Sequence, residues 1–438
     1  MTPEEMVATS GDSAWMLMSA ALVLLMTPAL ALFYGGMSRQ KSALNMMMMS
    51  FGTLGLIGVI YVLWGWSMSY GTESVAGIFS NPFEFFGLKD SITDADGNYI
   101  AGAEGYPNII DIGFQLTFAV ITVAIIAGSV ANRVKFSTWL VFAGIWVTIC
   151  YFTLAHLVWG GGLLADGEDS LAAWMFGTAV EDGETVAAIT PIDFAGGTVV
   201  HINAGVAALV LALIIGRSRT FMTAASRPHN LPLVMLGAAL LWFGWFGFNG
   251  GAATTIEQGG LIWINTLAAP AAGMITWIMI ERLRASRPSS IGSVSGAIAG
   301  LVAITPACAN VDPYAAVLIG VAAGAGAFFA VEAKNRLRYD DALDVVAVHL
   351  VAGIIGTVMI GFFAFPHEDG PAGLLYGGGF ELLIAQVLAC LVAIVFAGLV
   401  TLAISLVLRS TMGLRIDPRE ELEGIDTFEH AEQAYSFR

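Results

Sequence analysis

Charge is scarce in this chain: Asp, Glu, Lys and Arg make up 12% of its 438 residues, against 57% hydrophobic ones. That balance excludes an ordinary soluble domain, in which about a quarter of residues are charged. Cysteine is scarcer still. Cys150, Cys308 and Cys390 sit within or at the ends of apolar runs, so unpaired packing residues are expected, not a disulfide or metal framework. Enzyme motifs are missing as well. HExxH and GxGD do not occur, and Ser295-Gly296 follows Ser293-Val294 where an intramembrane GxSG protease would need glycine. No enzyme and no cofactor are expected. There is no TVGYG-like filter for an alkali ion, and the only Asn-Pro, Asn81-Pro82, runs into Phe83 and is no water-channel motif. With a net charge of −16, nothing points to nucleic acid.

What the chain has is apolar length. Eleven runs of about one bilayer crossing fall near 13–36, 44–69, 112–131, 137–160, 194–216, 231–252, 259–280, 291–310, 313–331, 345–365 and 379–408. Only the turn Asn310-Val311-Asp312-Pro313 divides the eighth from the ninth. The fold class is therefore an all-α polytopic membrane protein with eleven transmembrane helices. Of the 18 Lys and Arg, 17 fall in alternate loops and the tail, with Lys89 alone on the other side. The positive-inside rule makes the basic side cytoplasmic. An odd span number then puts the N-terminus outside and the C-terminus inside the cell membrane. The N-terminal MTPEEMVATSGD lacks a basic n-region, so the first span is expected to be its own uncleaved targeting signal.

The outer loops are acidic, with Asp90, Asp94, Asp96, Glu104 and Asp111 in one and Asp166, Glu168, Asp169, Glu181, Asp182 and Glu184 in another. Such a face either concentrates a cation modestly or reflects depletion of Lys and Arg from outer loops.

Two stretches match across 148 residues: VHINAG at Val200–Gly205 and VHLVAG at Val348–Gly353. They lie in the fifth and tenth spans, which run in opposite senses. FYGG (Phe33 to Gly36) and FNGG (Phe248 to Gly251) echo each other similarly. The reading is a 5+5 inverted repeat, about 13–216 and 231–365, with an extra helix at 379–408 and a cytoplasmic tail at 409–438. Such transporters bind at the midplane between repeats. An ionisable residue at that depth marks a functional site, and His201 and His349 would meet there. Two neutral imidazoles in contact share one proton and leave a donor and an acceptor for a small hydrogen-bonding solute or a proton relay.

The other histidines read as structural or solvated. His156, near the outer end of the fourth span, is expected to be hydrogen-bonded, and His229, His367 and His430 to be solvated in loops or tail. Asp193 opens the fifth span, either capping its helix or stabilising a cation from behind the first contacts. Aromatics crowd the outer mouth: Phe114, Phe118, Trp159, Trp242, Trp245, Phe246 and Phe248. They form an interface belt or a cation cage. Glycines spaced as Gly292, Gly296 and Gly300 pack helices.

These residues resemble a family. DFAGGTVVHINAG (Asp193 to Gly205), GWFGFN (Gly244 to Asn249), SGAIAGLVAITPAC (Ser295 to Cys308), DDALDVVAVHLVAG (Asp340 to Gly353), the first span Ala14 to Arg39 and the tail from Gly413 resemble the Amt branch of the Amt/Mep/Rh ammonium transporters over nearly the entire chain. The resemblance implies a homotrimer with one pore per protomer. It makes His201 and His349 the twin pore histidines, Phe118 and Phe248 a stacked gate, and Trp245, with Phe33 and Tyr34, pore lining. Trp159, Phe118 and Asp193 become an outer ammonium site. One position departs: Ala252 stands where many members have a serine that accepts a hydrogen bond from ammonium. Residues Ala165 to Thr190 look inserted. The implied mechanism recruits ammonium, deprotonates it and passes ammonia, the proton either staying behind or following by the same histidines. The tail resembles a segment that couples protomers and meets a P-II signalling protein. The alternative is an ammonium sensor acting through that tail, although no fused output domain follows residue 438.

Overall fold

In lipid a backbone must satisfy its own hydrogen bonds, so each apolar run becomes a helix. The computed structural model describes residues 9–102, 105–181, 183–222, 228–285, 287–366 and 370–435. Glu104, Asp182, Arg227, His367 and Arg438 lie outside the described residues. Among the described residues ten helices are long and apolar enough to cross a membrane. They are α1 (Ser10–Met37), α2 (Gln40–Tyr70), α3 (Asn108–Val130), α4 (Phe136–Trp159), α5 (Gly197–Ile215), α6 (Leu231–Gly250) and α7 (Ile256–Arg284), then α9 (Pro313–Leu337), α10 (Val346–Phe363) and α11 (Glu381–Thr411). The eighth run forms α8 (Ser290–Ile304), a shorter apolar helix. It ends early because Thr305-Pro306 cannot continue it. All eleven runs are thus helical, and Asp312 caps α9 at the turn that divides the eighth from the ninth.

Burial ranks the helices. The apolar window of α5 is 78% buried and that of α11 only 33%, so the first histidine helix is central and the last peripheral. The most extensive packing is between α1 and α6. Glycine permits it: a Cβ on Gly237 would lie 2.5 Å from the Phe33 nitrogen and 2.8 Å from the Ala29 oxygen. At the crossing of α5 and α10, a Cβ on Gly205 would meet the Leu350 nitrogen at 2.5 Å.

One face gathers the basic loops. Arg133 pairs with Asp340 at 3.2 Å, Arg217 Nε donates to the Arg338 carbonyl at 2.6 Å, and Lys135 Nζ to the Met412 carbonyl at 3.2 Å. The tail folds back onto this basic face. Buried Glu421 takes Arg415 at 2.7 Å and the Arg219 backbone N–H at 2.8 Å. Asp426 accepts from the backbone N–H groups of Leu44 and Asn45, at the head of α2, at 3.1 and 2.8 Å. Two histidines expected to be solvated are therefore engaged. His430 Nε2 lies 3.0 Å from Asn45 Oδ1, and His229 lies 3.0 Å from both the Ser38 carbonyl and Tyr435 Oη.

The opposite, acidic face departs from an all-helical reading. It carries two small hairpins, β1 (Ser74–Val75) with β2 (Phe79–Ser80), and β3 (Thr178–Glu181) with β4 (Glu184–Ala187). The second lies between residues 165 and 190, the stretch expected from the sequence to be an insertion. Its strands hold the β-branched Thr178, Val180, Thr185 and Val186, and Gly183 turns between them at φ +88°.

Candidate substrate path

The two V-H-x-x-A-G stretches are wound the same way. Gly197–Ile202 and Val346–Val351 are π-helical turns that open α5 and α10. Such turns, with one extra residue per turn, are frequent at functional sites, and two more lie within α2 (Tyr61–Gly65) and α4 (Val147–Tyr151). An aspartate heads each of the two histidine-bearing turns. Asp193 Oδ1 accepts from the Gly196 and Gly197 N–H groups, and Oδ2 from the N–H groups of Thr198 and Val199 and the Thr198 hydroxyl. Burial pushes this carboxyl above its ordinary range, while those donors pull it back. Asp341 Oδ2 accepts from the Val346 N–H at 2.7 Å. Burial pushes Asp341 up to about 6, against the pull of Lys334. Asp341 stands eight residues before His349, as Asp193 does before His201. Sequence reasoning passed over Asp341, although that shared spacing was the signal for it.

The histidines meet. His201 Nδ1 and His349 Nδ1 are 3.2 Å apart, with ring centroids at 5.3 Å. One nitrogen must donate and the other accept, which leaves one Nε2 protonated and the other with a lone pair. His201 Nε2 is buried and has no partner among the described residues. Trp245 stacks on His201 at 5.5 Å, and its Nε1 donates to Thr305 Oγ1 at 2.8 Å. Phe33, Tyr34, Trp245 and Phe248 line a cavity of about 30 Å³ with the two histidines. That is room for one or two water-sized molecules.

Toward the acidic face, Phe248 stacks on Phe118 with centroids 4.2 Å apart. Phe118 in turn meets Trp159 edge-on at 6.2 Å. Beyond the phenylalanines opens a cavity of about 280 Å³ lined by Phe114, Phe118, Trp159 and Ala252. Trp159 Nε1 donates to the Asp193 carbonyl at 2.8 Å, which fixes the indole. Phe118, Trp159 and Ala252 therefore share one cavity. Asp193 lines a separate, wider one of about 720 Å³, together with Asp166 and Glu181. On the basic face a polar cavity of about 340 Å³ is lined by Arg39, Arg133, Lys334, Asp340 and Asp344.

His156 Nε2 lies 2.8 Å from Ser74 Oγ and its Nδ1 3.2 Å from the Ser69 carbonyl, a structural histidine tying α4 to β1 and to the end of α2. Cys150, Cys308 and Cys390 are buried free thiols.

Ten membrane-crossing helices and one shorter apolar helix, around a small lumen that holds a buried histidine pair and with wider cavities toward both faces, define a membrane protein of channel-like architecture. The profile of the Ammonium Transporter Family matches residues 14–435, and the chain belongs to that family. It is 47% identical to an ammonium transporter of Mycobacterium tuberculosis (strain H37Rv), covering 98% of this chain and 91% of that one. It is 40% identical to an ammonium transporter of Bacillus subtilis (strain 168), covering 97% and 98%. Among solved structures it resembles a Sensor Amt Protein (TM-score 0.83, 27% identity, 96% of this chain and 98% of that one). It also resembles Mep2 of Candida albicans (TM-score 0.81, 28% identity, 93% and 87%).

Proposed function

We propose that the protein carries ammonium across the cell membrane as ammonia, and that the lumen beside His201 and His349 is the conducting path. The observation that carries the reading is the direct Nδ1 contact of the two histidines beneath a phenylalanine stack. Relatives at 40 to 47% identity named as ammonium transporters supply the substrate.

The mechanism follows from size and dielectric. Ammonium is received on the acidic face between Trp159 and Phe118, where a desolvated cation over an aromatic ring gains about 2 kcal/mol. An intact ion in an apolar lumen of about 30 Å³ would forfeit hydration worth tens of kcal/mol, so the proton leaves before or during passage. Phe118 and Phe248 act as the gate that excludes bulk water. Ammonia then meets one imidazole donor and one acceptor, a match for a molecule that both accepts and donates. Trp245, Phe33 and Tyr34 wall this stretch, and Asp193 holds the outer end in shape. Ammonium-dependent uptake and current in proteoliposomes of the purified protein test the proposal. An absence of both overturns it.

The same proposal extends to assembly and placement. The unit is a homotrimer with one path per protomer, built from repeats at about 13–216 and 231–365, an added helix at 379–408 and a tail at 409–438. The acidic face and N-terminus are outside, and the tail is cytoplasmic, where a P-II signalling protein is the partner to expect. A tag after Gly167 should be reachable from outside intact cells, and a tag after Gly424 only after permeabilisation. Both tags reporting one face would sink this topology. A sensor role has one observation behind it, the likeness to a Sensor Amt Protein. The liposome experiment separates the readings, because a sensor that does not conduct gives no uptake.

Ala252 makes a further prediction. A serine hydroxyl in that cavity accepts one N–H from ammonium, and a hydrogen bond to a charged group is worth about 1.5–3 kcal/mol. Ala252→Ser should lower the half-saturating ammonium concentration roughly tenfold, equivalent to about 1.4 kcal/mol. Saturating flux should move less, because the position lies outside the phenylalanine stack. Uptake curves for wild type and Ala252→Ser that saturate together would remove Ala252 from the site.

A further inference from the structure

The cavity that holds Trp159, Phe118 and Ala252 is also lined by Asp111, Gln115 and Tyr70. Asp111, Phe114, Gln115 and Phe118 recur at i, i+3, i+4 and i+7, which puts them on one face of α3. Asp111 stands about 10 Å outward of Phe118 along the helix axis at 1.5 Å per residue. Among the described residues it is the one full charge that lines this cavity. Two buried oxygens of the lining, Gln115 Oε1 and Tyr70 Oη, have no hydrogen-bond partner among the described residues. A buried carbonyl oxygen left without a donor is costly. Here it shares with Asp111 a cavity whose other walls are mostly aromatic and whose Ala252 offers no side-chain acceptor.

We propose that in this chain Asp111 is the specificity-determining anchor of the outer cavity. Its carboxylate, with the amide oxygen of Gln115 and the phenol oxygen of Tyr70, supplies the oxygen contacts that Ala252 cannot, to a cation the size of ammonium. This moves the point of capture outward along α3, from the edge of the phenylalanine stack to the first turn of the helix. The cation is held by charge first, then handed inward to the rings of Trp159 and Phe118. A carboxylate in the first turn also favours the helix dipole, and the experiment has to tell the two roles apart.

The inference rests on ammonium being the transported substrate, so the test is uptake against ammonium concentration at low and high ionic strength, in cells or proteoliposomes. Asp111→Asn should raise the half-saturating concentration roughly tenfold at low salt, as a charge-assisted contact predicts. Its saturating flux should stay within about twofold of wild type, showing that the protein folds and conducts. The gap should narrow at high salt, where exposed charges are screened, and Asp111→Glu should recover most of the affinity. Gln115→Leu should weaken capture by a smaller factor that is insensitive to salt. An unchanged half-saturation in Asp111→Asn, with Trp159→Ala shifted, overturns the role of Asp111 and leaves transport standing. A shift that neither salt nor glutamate alters assigns Asp111 to the helix dipole and overturns the proposal. No uptake by wild type overturns both readings.

Discussion

Asp193→Ala is expected to leave little or no folded, transporting protein. The wild-type carboxylate accepts five hydrogen bonds, four from the backbone N–H groups of Gly196, Gly197, Thr198 and Val199 and one from the Thr198 hydroxyl. Alanine strands them in a site that is nearly sealed, since Asp193 is only 8% exposed. An exposed helix cap costs about 1 kcal/mol to remove, but each buried donor left unmet costs about 1–3 kcal/mol. Several together rival the whole stability of a typical domain, about 5–15 kcal/mol. Function is exposed by the same route. The π-helical turn that Asp193 heads carries His201, and the Asp193 carbonyl fixes the Trp159 indole. Asp193→Asn keeps one acceptor oxygen but turns an amide NH₂ toward backbone donors, so it should fall between alanine and wild type. Thermal melting in detergent, read alongside ammonium uptake, checks this ordering. An alanine variant that melts and transports like wild type would mean that water meets these donors and that Asp193 is not the keystone of the helix head.

Legibility in the sequence divides along the same line, between what is local and what is brought together from a distance. The spans were readable because lipid demands some 20 apolar residues in a row, and α1 to α11 follow the eleven runs closely. His201 and His349 were readable because their V-H-x-x-A-G frames repeat. The winding around them was not. A π-helical turn inserts one residue into a continuous apolar run and leaves no mark in its periodicity. Asp341 went unnoticed because, beside Asp340, it reads as loop charge. Its spacing to His349 identifies it only once Asp193 is seen capping the other turn. The stack of Phe118 on Phe248 joins residues far apart in the chain, and only the family resemblance pointed to it. Tail docking was hidden for a related reason. Asp426 caps α2 across 381 residues, through contacts in which neither partner is unusual in its own neighbourhood. The β3–β4 hairpin lies in a stretch where β-branched residues and a glycine turn compete with no apolar pattern.

A single carboxylate in place of either pore histidine should cost the lumen its selectivity. With His201 and His349 both neutral, a potassium ion or a methylammonium ion finds no countercharge in the roughly 30 Å³ beside them. It therefore gives up its hydration with only one imidazole lone pair in return. His201→Asp or His349→Asp supplies a fixed charge. At about 4 Å and an effective dielectric constant of about 20, attraction to a cation is about 4 kcal/mol, or roughly a thousandfold in occupancy. An intact cation can then be held on the proposed ammonia path. The outcome is either a path that conducts potassium and methylammonium or one blocked by a cation that binds and does not leave. Neutral replacement acts differently. His201→Ala or His349→Ala breaks the 3.2 Å contact and removes the ring on which Trp245 or the partner histidine stacks. Ammonia flux should fall, or become accompanied by water and other small solutes as the lumen widens. Currents evoked separately by ammonium, methylammonium and potassium in all four variants distinguish these cases. Wild-type flux and wild-type selectivity in both alanine variants would show that the histidine contact, although buried at the centre of the fold, plays no part in choosing what crosses.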